Sequence, residues 1–507
     1  MPTPPPAPAP TDPTAEPAPD TIERAVHALQ RRWQARLIET HISWVLLDGT
    51  HAWKIKKPVH LPFLDARTTA TRRALCEAEC ALNRRLAPTL YLDVRDVTGS
   101  SDEPGIDGAG RVLSPVLRMR QFPPGCLFTE QVAAGTLAEA DIDHLAHRLA
   151  AFHLAAPVAS AERAWGTAEQ RAATLTEVLG SLAQVDVEHT ARVAALQRWA
   201  TQAIATLRPV WRARREAGHI REGHGDLHLA NLIRLPDGEV TAFDCIEFDP
   251  ALRWIDPITD IAFAVMDLAA HGRADLGWRL LNAWLDETGD HEGVAVLRAD
   301  LVYRAIVRAL VARLRTPGGR LDAPPDGPDY LALAEQLTHP GRPTLTITHG
   351  LSGSGKSHQA LRLLQTTGAI RLRADVERKR LFGLPALARS REHVPGGIYT
   401  PEATQRTYAH LMDRAAALLQ AGWPVILDAA FLRRAERVAC RALADRHGAT
   451  FRILHCEAPP EVLHQRLAQR AAHGQDPSEA DASVLAQQQV WAEPLTADEQ
   501  ASVTRLP

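Results

Sequence analysis

Two short stretches of this 507-residue chain hold the residue types and spacings that phosphate chemistry needs. The first is HGDLHLAN, residues 224 to 231, of the form H-x-D-x-x-x-x-N. It runs into a hairpin pattern: LIRL, the turn Pro236-Asp237-Gly238, then EVTAFD. Residues paired across that turn sum to about 475, which sets Asn231 opposite Phe243 and Asp244. Asp226, on the preceding loop, joins Asn231 and Asp244 at the open end of the hairpin. Two oxygen donors for Mg²⁺ and one carboxylate left to accept a proton suit phosphoryl transfer to a hydroxyl.

The second stretch is GLSGSGKS, Gly350 to Ser357, set between the apolar run TLTIT and the helical pattern SHQALRLLQ. This is the phosphate-binding pattern GxxxxGK[ST] in its strand-to-helix context. Glycines such as Gly350, Gly353 and Gly355 let successive backbone N–H groups, including those of Ser352 and Ser354, turn toward phosphate oxygens. The helix N-terminus adds its partial positive charge. Lys356 is expected to reach the β and γ phosphates of ATP, and the Ser357 hydroxyl to hold Mg²⁺. Downstream, IRLRADVERKRLFG puts Asp375 just after a short strand, where it can take a proton from an attacking hydroxyl. Arg378 follows one helical turn later on the same face, placed to grip an anionic substrate. PVILDAAF ends a second apolar strand in Asp428, suited to orienting Mg²⁺ through water. Arg466 and Arg470 lie at i, i+4 in EVLHQRLAQR, followed by the polar segment HGQDPSEAD, as in a lid that brings arginines onto phosphates.

The elements that must position these residues follow from periodicity. ISWVLLDG and THAWKIKK read as two strands joined at Asp48-Gly49-Thr50, with a helix from about 68 to 87 and a strand in RVLSPVLRMRQF. Residues 137 to 215 are Ala/Leu-rich with helical spacing. Helices resume from about 257 to 314, and one more runs to about Leu337. The Pro/Gly-rich run 315 to 329 marks a loop, and HPGRP, 339 to 343, a linker. Beyond it a strand–loop–helix alternation suits a parallel α/β domain. Residues 1 to 20 are nearly all Pro, Ala, Thr and acids and are expected to form an extended, mobile arm.

With these residues in view, two resemblances can be stated. Residues 343 to 507 resemble the small P-loop kinases that include polynucleotide kinase, zeta toxin and chloramphenicol phosphotransferase, on the loop, the RAD-x-x-R segment and the arginine lid. That resemblance implies Asp375 as catalytic base and Arg378 as a substrate contact. Residues of about 25 to 335 resemble the aminoglycoside phosphotransferase branch of the protein-kinase-like fold. The resemblance implies Asp226 as base, Asn231 and Asp244 as metal ligands, Asp260 in WIDPITDIAF as a brace for the catalytic loop, and His224 as a scaffold residue bonded to nearby backbone. It also implies Lys54, in AWK, as the lysine on the α and β phosphates, with Lys56 in the same strand phase. Glu79 is the preferred ion-pair partner, ahead of Glu77. The expected fold is therefore an α+β protein-kinase-like bilobal domain over 21–338, the linker 339–343, and an α/β P-loop domain with a parallel sheet over 344–507.

Composition narrows the partners. Net charge is −3 with no dominant block of like charge, which weighs against nucleic acid, although end-phosphorylation by the P-loop domain stays open. No uncharged apolar run is long enough for a membrane helix, and six scattered cysteines without a CxxC pair point to a reducing cytoplasm. Cys76 and Cys80 read as buried thiols and His153 as a core histidine. Lysine occurs only at 54, 56, 57, 356 and 379 in a chain that otherwise uses arginine. Keeping lysine in the small-lobe strand and the P-loop fits a compact charge at tight phosphates, while Lys57 and Lys379 read as leftover surface lysines. The small lobe lacks a GxGxxG loop, and the region after 260 lacks the acidic surface a polycationic aminoglycoside needs. The expectation is a cytoplasmic bifunctional ATP·Mg²⁺ phosphotransferase acting on hydroxylated small molecules. The alternative is an N-terminal kinase regulated by a C-terminal nucleotide switch. Neither substrate nor oligomeric state is legible.

Overall fold

The computed structural model describes residues 16–61, 64–314, 327–390, 397–473 and 476–504. The described residues divide into two compact units, one of 16–134 with 224–254 and one of 135–223 with 255–504. This grouping cuts across the expected boundary at 339–343, because the helical part of the N-terminal half shares a unit with the P-loop part.

The first unit is built on a six-stranded antiparallel sheet. Its strand order is Arg36–Glu39, Ser43–Leu47, His51–Lys56, Val112–Arg120, Tyr91–Gly99 and Pro104–Ile106. The helix Pro19–Trp33 spaces Ile22, Ala25, Val26 and Leu29 along one side and buries them against Trp44, Leu46, Trp53, Ile55 and Val116. Proline opens that helix, which suits a first-turn residue whose missing N–H would have no intrahelical partner. The expected arm therefore overlaps the helix at Pro19 and Asp20, while residues 1–15 lie outside the described residues. The helix Thr69–Asn83 starts where the Thr68 hydroxyl accepts the Thr71 N–H at 3.1 Å, and it turns Cys76, Glu79 and Cys80 inward. All six cysteines are buried free thiols. The strand Tyr91–Gly99, invisible to the sequence patterning, alternates poorly because several of its polar residues are half-buried in ion pairs at its edge.

The second unit packs the helices Glu139–Ala155, Ala168–Val185, Thr190–Glu216, Pro257–Ala270, Ala274–Thr288 and Val294–Leu314 together with a five-stranded parallel sheet. The sheet order is Ile370–Arg373, Val425–Asp428, Thr344–His349, Thr450–His455, Val503–Thr504. Both sheet edges need cover, since an edge strand leaves a row of unpaired backbone groups. At the Ile370–Arg373 edge the cover is a side chain from the helix Ala274–Thr288. The Asn282 carboxamide donates to Ala369 O at 3.0 Å and accepts the Arg371 N–H at 2.7 Å, as a neighbouring strand would. One turn on, Asp286 accepts from the Arg371 guanidinium at 2.9 Å. Trp278 lies so close to Gly368 that a Cβ there would sit 2.9 Å from the indole. No described helix is long and apolar enough to cross a membrane. The loop expected at 315 to 329 lies largely outside the described residues.

Candidate active sites

In the first unit the hairpin pairs Leu232 with Ala242, Ile233 with Thr241 and Arg234 with Val240. One step further, Phe243 N–H donates to Asn231 O at 3.0 Å. The register is one residue short of the expected sum, so Asn231 faces Phe243, with Asp244 next along. Asp244 adopts φ 62°, a left-handed conformation unusual for a residue with a Cβ, and its N–H donates to the Tyr91 hydroxyl at 3.1 Å. Strain of this kind persists only where the surroundings over-determine it. Asn231 Nδ2 donates to Asp226 Oδ2 at 3.0 Å and to Asp226 O at 2.9 Å, and His228 Nε2 lies 3.4 Å from the same carboxylate. His224 Nδ1 accepts the Asp226 N–H at 3.2 Å, so its Nε2 carries the proton and donates to Phe243 O at 2.9 Å. One buried ring thus ties the loop to the hairpin.

The strand His51–Lys56 brings both lysines to the same carboxylate. Lys54 Nζ bonds Glu79 Oε1 and Asp244 Oδ1, each at 2.7 Å. Lys56 Nζ bonds Glu79 Oε2 at 2.6 Å and Glu247 Oε1 at 2.5 Å. Glu77 points away and is exposed, which leaves Glu79 as the partner. Burial alone would lower the Lys54 ammonium, but Asp244 and Glu79 hold it well above its ordinary range. Burial likewise works to raise Glu79, and the two lysines hold it well below the usual carboxylate range. Glu247 goes the other way, pushed up by burial and by Glu79. Sequence reasoning missed Glu247. The lysine pair was the available signal, since two lysines buried on one strand face need more than one acid.

The donors that Asn231 and Asp244 offer are hard oxygens, which fit Mg²⁺. Among the described residues no three His, Cys, Asp or Glu side chains cluster as a self-sufficient metal cage.

In the second unit the loop Gly350 to Gly355 connects the strand Thr344–His349 to the helix Lys356–Thr367. Gly350 has φ 146°, and a Cβ there would stand 2.2 Å from Cys456 O, so the cradle admits only glycine. Ser352 N–H donates to Gln488 Oε1 at 2.8 Å, steadying the loop from outside. Lys356 Nζ folds back onto Leu351 O at 2.8 Å. Burial pulls the Lys356 ammonium below its ordinary range, with Asp428 opposing, so the cation is short of counter-charge. Ser354 Oγ and Asp428 Oδ2 are buried with no hydrogen-bond partner among the described residues. Ser357 stands at the second position of the helix, half-buried. Two orphaned oxygens, an under-neutralised lysine and a cradle closed to any Cβ fit a phosphate group with its Mg²⁺.

Asp375 and Arg378 share the helix Ala374–Leu381 and face one aromatic residue that sequence reasoning missed. The Tyr399 hydroxyl donates to Asp375 Oδ1 at 3.3 Å, and Arg378 sits 4.5 Å above the Tyr399 ring. Arg378 Nη1 is 4.0 Å from Asp375 Oδ1. Tyr399 follows Pro395-Gly396-Gly397 in the sequence, and no local pattern marks it. Arg373 was also missed, although it opens the RAD segment. It reaches Asp286 at 3.7 Å, Asp476 at 3.9 Å and Asp428 at 4.0 Å. Arg466 and Arg470 lie on the helix Pro460–His473, where Arg466 donates to Gly353 O at 3.2 Å and Arg470 to Ala480 O. Part of the polar segment after them lies outside the described residues.

Two further residues singled out in the sequence, Asp260 and Lys379, are buried. Asp260 is fully buried in the helix Pro257–Ala270, where His153 Nε2 donates to it at 3.2 Å while His153 Nδ1 accepts the Trp284 indole N–H at 3.1 Å. Lys379 is not a surface lysine: it is buried, donates to Ala386 O at 2.9 Å and pairs with Glu479 at 3.3 Å. The helix turns it inward, toward a loop that follows later in the chain.

Comparison with known proteins adds findings of three kinds, from a family model, solved structures and curated relatives. The AAA domain family matches residues 345–495. Among solved structures, an unliganded sugar kinase from Janibacter sp. is 25% identical, covering 32% of this chain and 84% of its own, with a TM-score of 0.25. An ADP-bound aminoglycoside phosphotransferase is 14% identical over 62% of this chain and 96% of its own, with a TM-score of 0.35. The Mycobacterium tuberculosis protein Rv2004c and the Mycobacterium bovis protein Mb2027c are each 31% identical over 462 residues, 89% of this chain and 89% of theirs. At that identity and coverage, this chain belongs to the same family as those mycobacterial proteins.

Proposed function

We propose that the chain, a kinase-class phosphotransferase, uses ATP with Mg²⁺ at both constellations and passes the γ-phosphate to hydroxyls of small molecules, in the cytoplasm. What supports this reading is that each half owns a complete set: a lysine for phosphates, oxygen donors for a cation and a separate carboxylate for a proton. The sets are Lys54, Asn231, Asp244 and Asp226 in one half, and Lys356, Ser357, Asp428 and Asp375 in the other. Mg²⁺ would supply charge neutralisation of the phosphate oxygens at each site.

The chain's own residues do the rest. Asp226 accepts the acceptor's hydroxyl proton as the new O–P bond forms and the bond to ADP breaks. Asn231 and His228 orient that carboxylate, and Lys54 leaves Asp244 for the α and β phosphates. In the other half Asp375 plays the same part, with Tyr399 orienting it and Arg378 beside the acceptor. Lys356 swings from Leu351 O to the phosphates, and Arg466 and Arg470 act on charge developing in transfer. A second reading, the P-loop part as a nucleotide-sensing switch, draws on Asn282 and Asp286, which tie its edge strand to the helical part. Asp375 distinguishes the two, since a switch needs no base.

The full-length chain with γ-labelled ATP and a metabolite library tests this. Asp226→Asn should remove one set of labelled products, Asp375→Asn another, and the double variant all of them. A single set of products lost only with Asp226→Asn would favour the switch. Products unchanged in both variants would overturn the assignment of the bases.

A further inference from the structure

Behind the two residues read as holding the cation in the P-loop half, Ser357 and Asp428, stand two arginines. Arg371 is buried, and its Nη1 donates to Ser357 O at 3.4 Å. Arg373 Nε lies 4.0 Å from Asp428 Oδ2, a buried oxygen with no hydrogen-bond partner among the described residues. One carboxylate oxygen holds both arginines, and it comes from outside the P-loop half. Asp286 Oδ2, on the helix Ala274–Thr288, accepts from Arg371 Nη2 at 2.9 Å and stands 3.7 Å from Arg373 Nη1. An acid in the last turn of a helix opposes the helix dipole, and the two arginines offset that cost.

Arg373 is drawn three ways, to Asp286 at 3.7 Å, Asp476 at 3.9 Å and Asp428 at 4.0 Å. Asp476 is 38% exposed against 15% for Asp286, so water and salt weaken its pull more. Burial works to lower the Arg373 guanidinium, and Asp286, ahead of Asp428 and Asp476, holds it above its ordinary range. Asp286 is itself fixed. Its carbonyl accepts from Arg380 Nη2 at 2.6 Å, and Asn282, one turn earlier, bonds the edge strand. With Asp286 gone, Arg373 would turn to Asp428, where a guanidinium and a metal cation compete for one carboxylate.

We propose that Asp286 is a positioning residue for the P-loop site: by holding Arg371 and Arg373 it keeps Arg373 off Asp428 and leaves that carboxylate to the cation of Mg·ATP. This rests on the reading of Asp428 as the residue that orients Mg²⁺. The helical part of the kinase-like half thus supplies a charge that the P-loop site lacks on its own.

The test is calorimetric titration of the full-length chain with ATP at stepped Mg²⁺ concentrations, from none upward, in a Lys54→Met background that leaves the P-loop site to be read. Asp286→Asn keeps an oxygen for Arg371 and removes the charge. It should raise the Mg²⁺ concentration needed for half of the gain in ATP affinity roughly 10-fold, a fraction of the effect unit charges about 4 Å apart exert on one another. ATP affinity without Mg²⁺ should be unchanged, which a merely structural loss would not allow. Adding Arg373→Gln takes away the competing cation and should bring the Mg²⁺ requirement back to the wild-type value or below. If Asp286→Asn fails to fold, Arg373→Gln alone carries the test and should lower the requirement. An unchanged Mg²⁺ requirement in Asp286→Asn, or in Arg373→Gln where that variant carries the test, overturns the positioning role, as does a double variant no better than the single. An equal shift in Asn282→Leu, which loosens the same edge without changing charge, overturns it too. Asp428→Asn without effect on the Mg²⁺ requirement overturns the underlying reading of Asp428 instead.

Discussion

Replacing Asn282 by leucine keeps the branched outline of the side chain and removes the amide that caps the parallel sheet's edge. Asn282 is 1% exposed, and with leucine there the Ala369 carbonyl and the Arg371 N–H lose their partner while staying buried. An unsatisfied buried backbone group costs about 1–3 kcal/mol, so two of them, partly relieved by local relaxation, should destabilise this edge by about 3 kcal/mol. The loss should be local, because the central strand Thr344–His349 keeps parallel neighbours on both sides. At about 1.4 kcal/mol per decade, amide exchange at Arg371 should quicken roughly 100-fold. Hydrogen–deuterium exchange on the full-length chain reads this directly, comparing the peptide over 369–373 with the one over 344–349. Unchanged protection at Arg371 would refute the capping argument. An equal loss of protection in both strands would show that the helix Ala274–Thr288 supports the whole sheet and not its edge.

Further outcomes follow from individual contacts. Gly350→Ala forces a Cβ onto a backbone carbonyl at 2.2 Å, with no flexible atom to yield, so nucleotide binding by the P-loop should be lost while binding at the other site persists; titration of the variant checks this. His349, buried before the P-loop and sharing a proton with His455 at 2.8 Å, is pulled down to about 4 by burial and by His455. It stays neutral when folded but protonates near 6.5 when unfolded, so stability should fall as pH drops from 6.5 toward 4. The limit is about 3 kcal/mol, and a His349→Gln variant should melt with a flatter pH dependence over that window. Asp244→Asn should weaken Mg²⁺-dependent ATP binding, whereas Asp226→Asn should leave affinity within a few-fold and slow transfer roughly 100-fold or more, as calorimetry beside turnover would show.

Legibility in the sequence tracked the range of the contact. The P-loop is a run of eight residues whose function depends on local winding, so its pattern alone placed it at the end of the strand Thr344–His349. The hairpin register was legible to within one residue because a tight turn around Gly238 leaves little freedom. Choosing between Lys54 and Lys56 was beyond pattern reasoning, since both lie in one strand phase and their partners Glu79 and Glu247 are distant in sequence. Lys379 was misread for the same reason: its burial depends on Glu479, one hundred positions away. Asn282 carries no motif at all. It matters only because folding delivers it to a sheet edge, and edge cover is a property of the assembled fold.

The central claim is that one chain carries two separate nucleotide sites, and counting bound nucleotide tests it most directly. Equilibrium titration of the full-length chain with a non-hydrolysable ATP analogue and Mg²⁺ should give two nucleotides per chain, one after Lys54→Met, one after Lys356→Ala and none after both. A wild-type chain that binds one nucleotide, or a single lysine substitution that abolishes both, would contradict it.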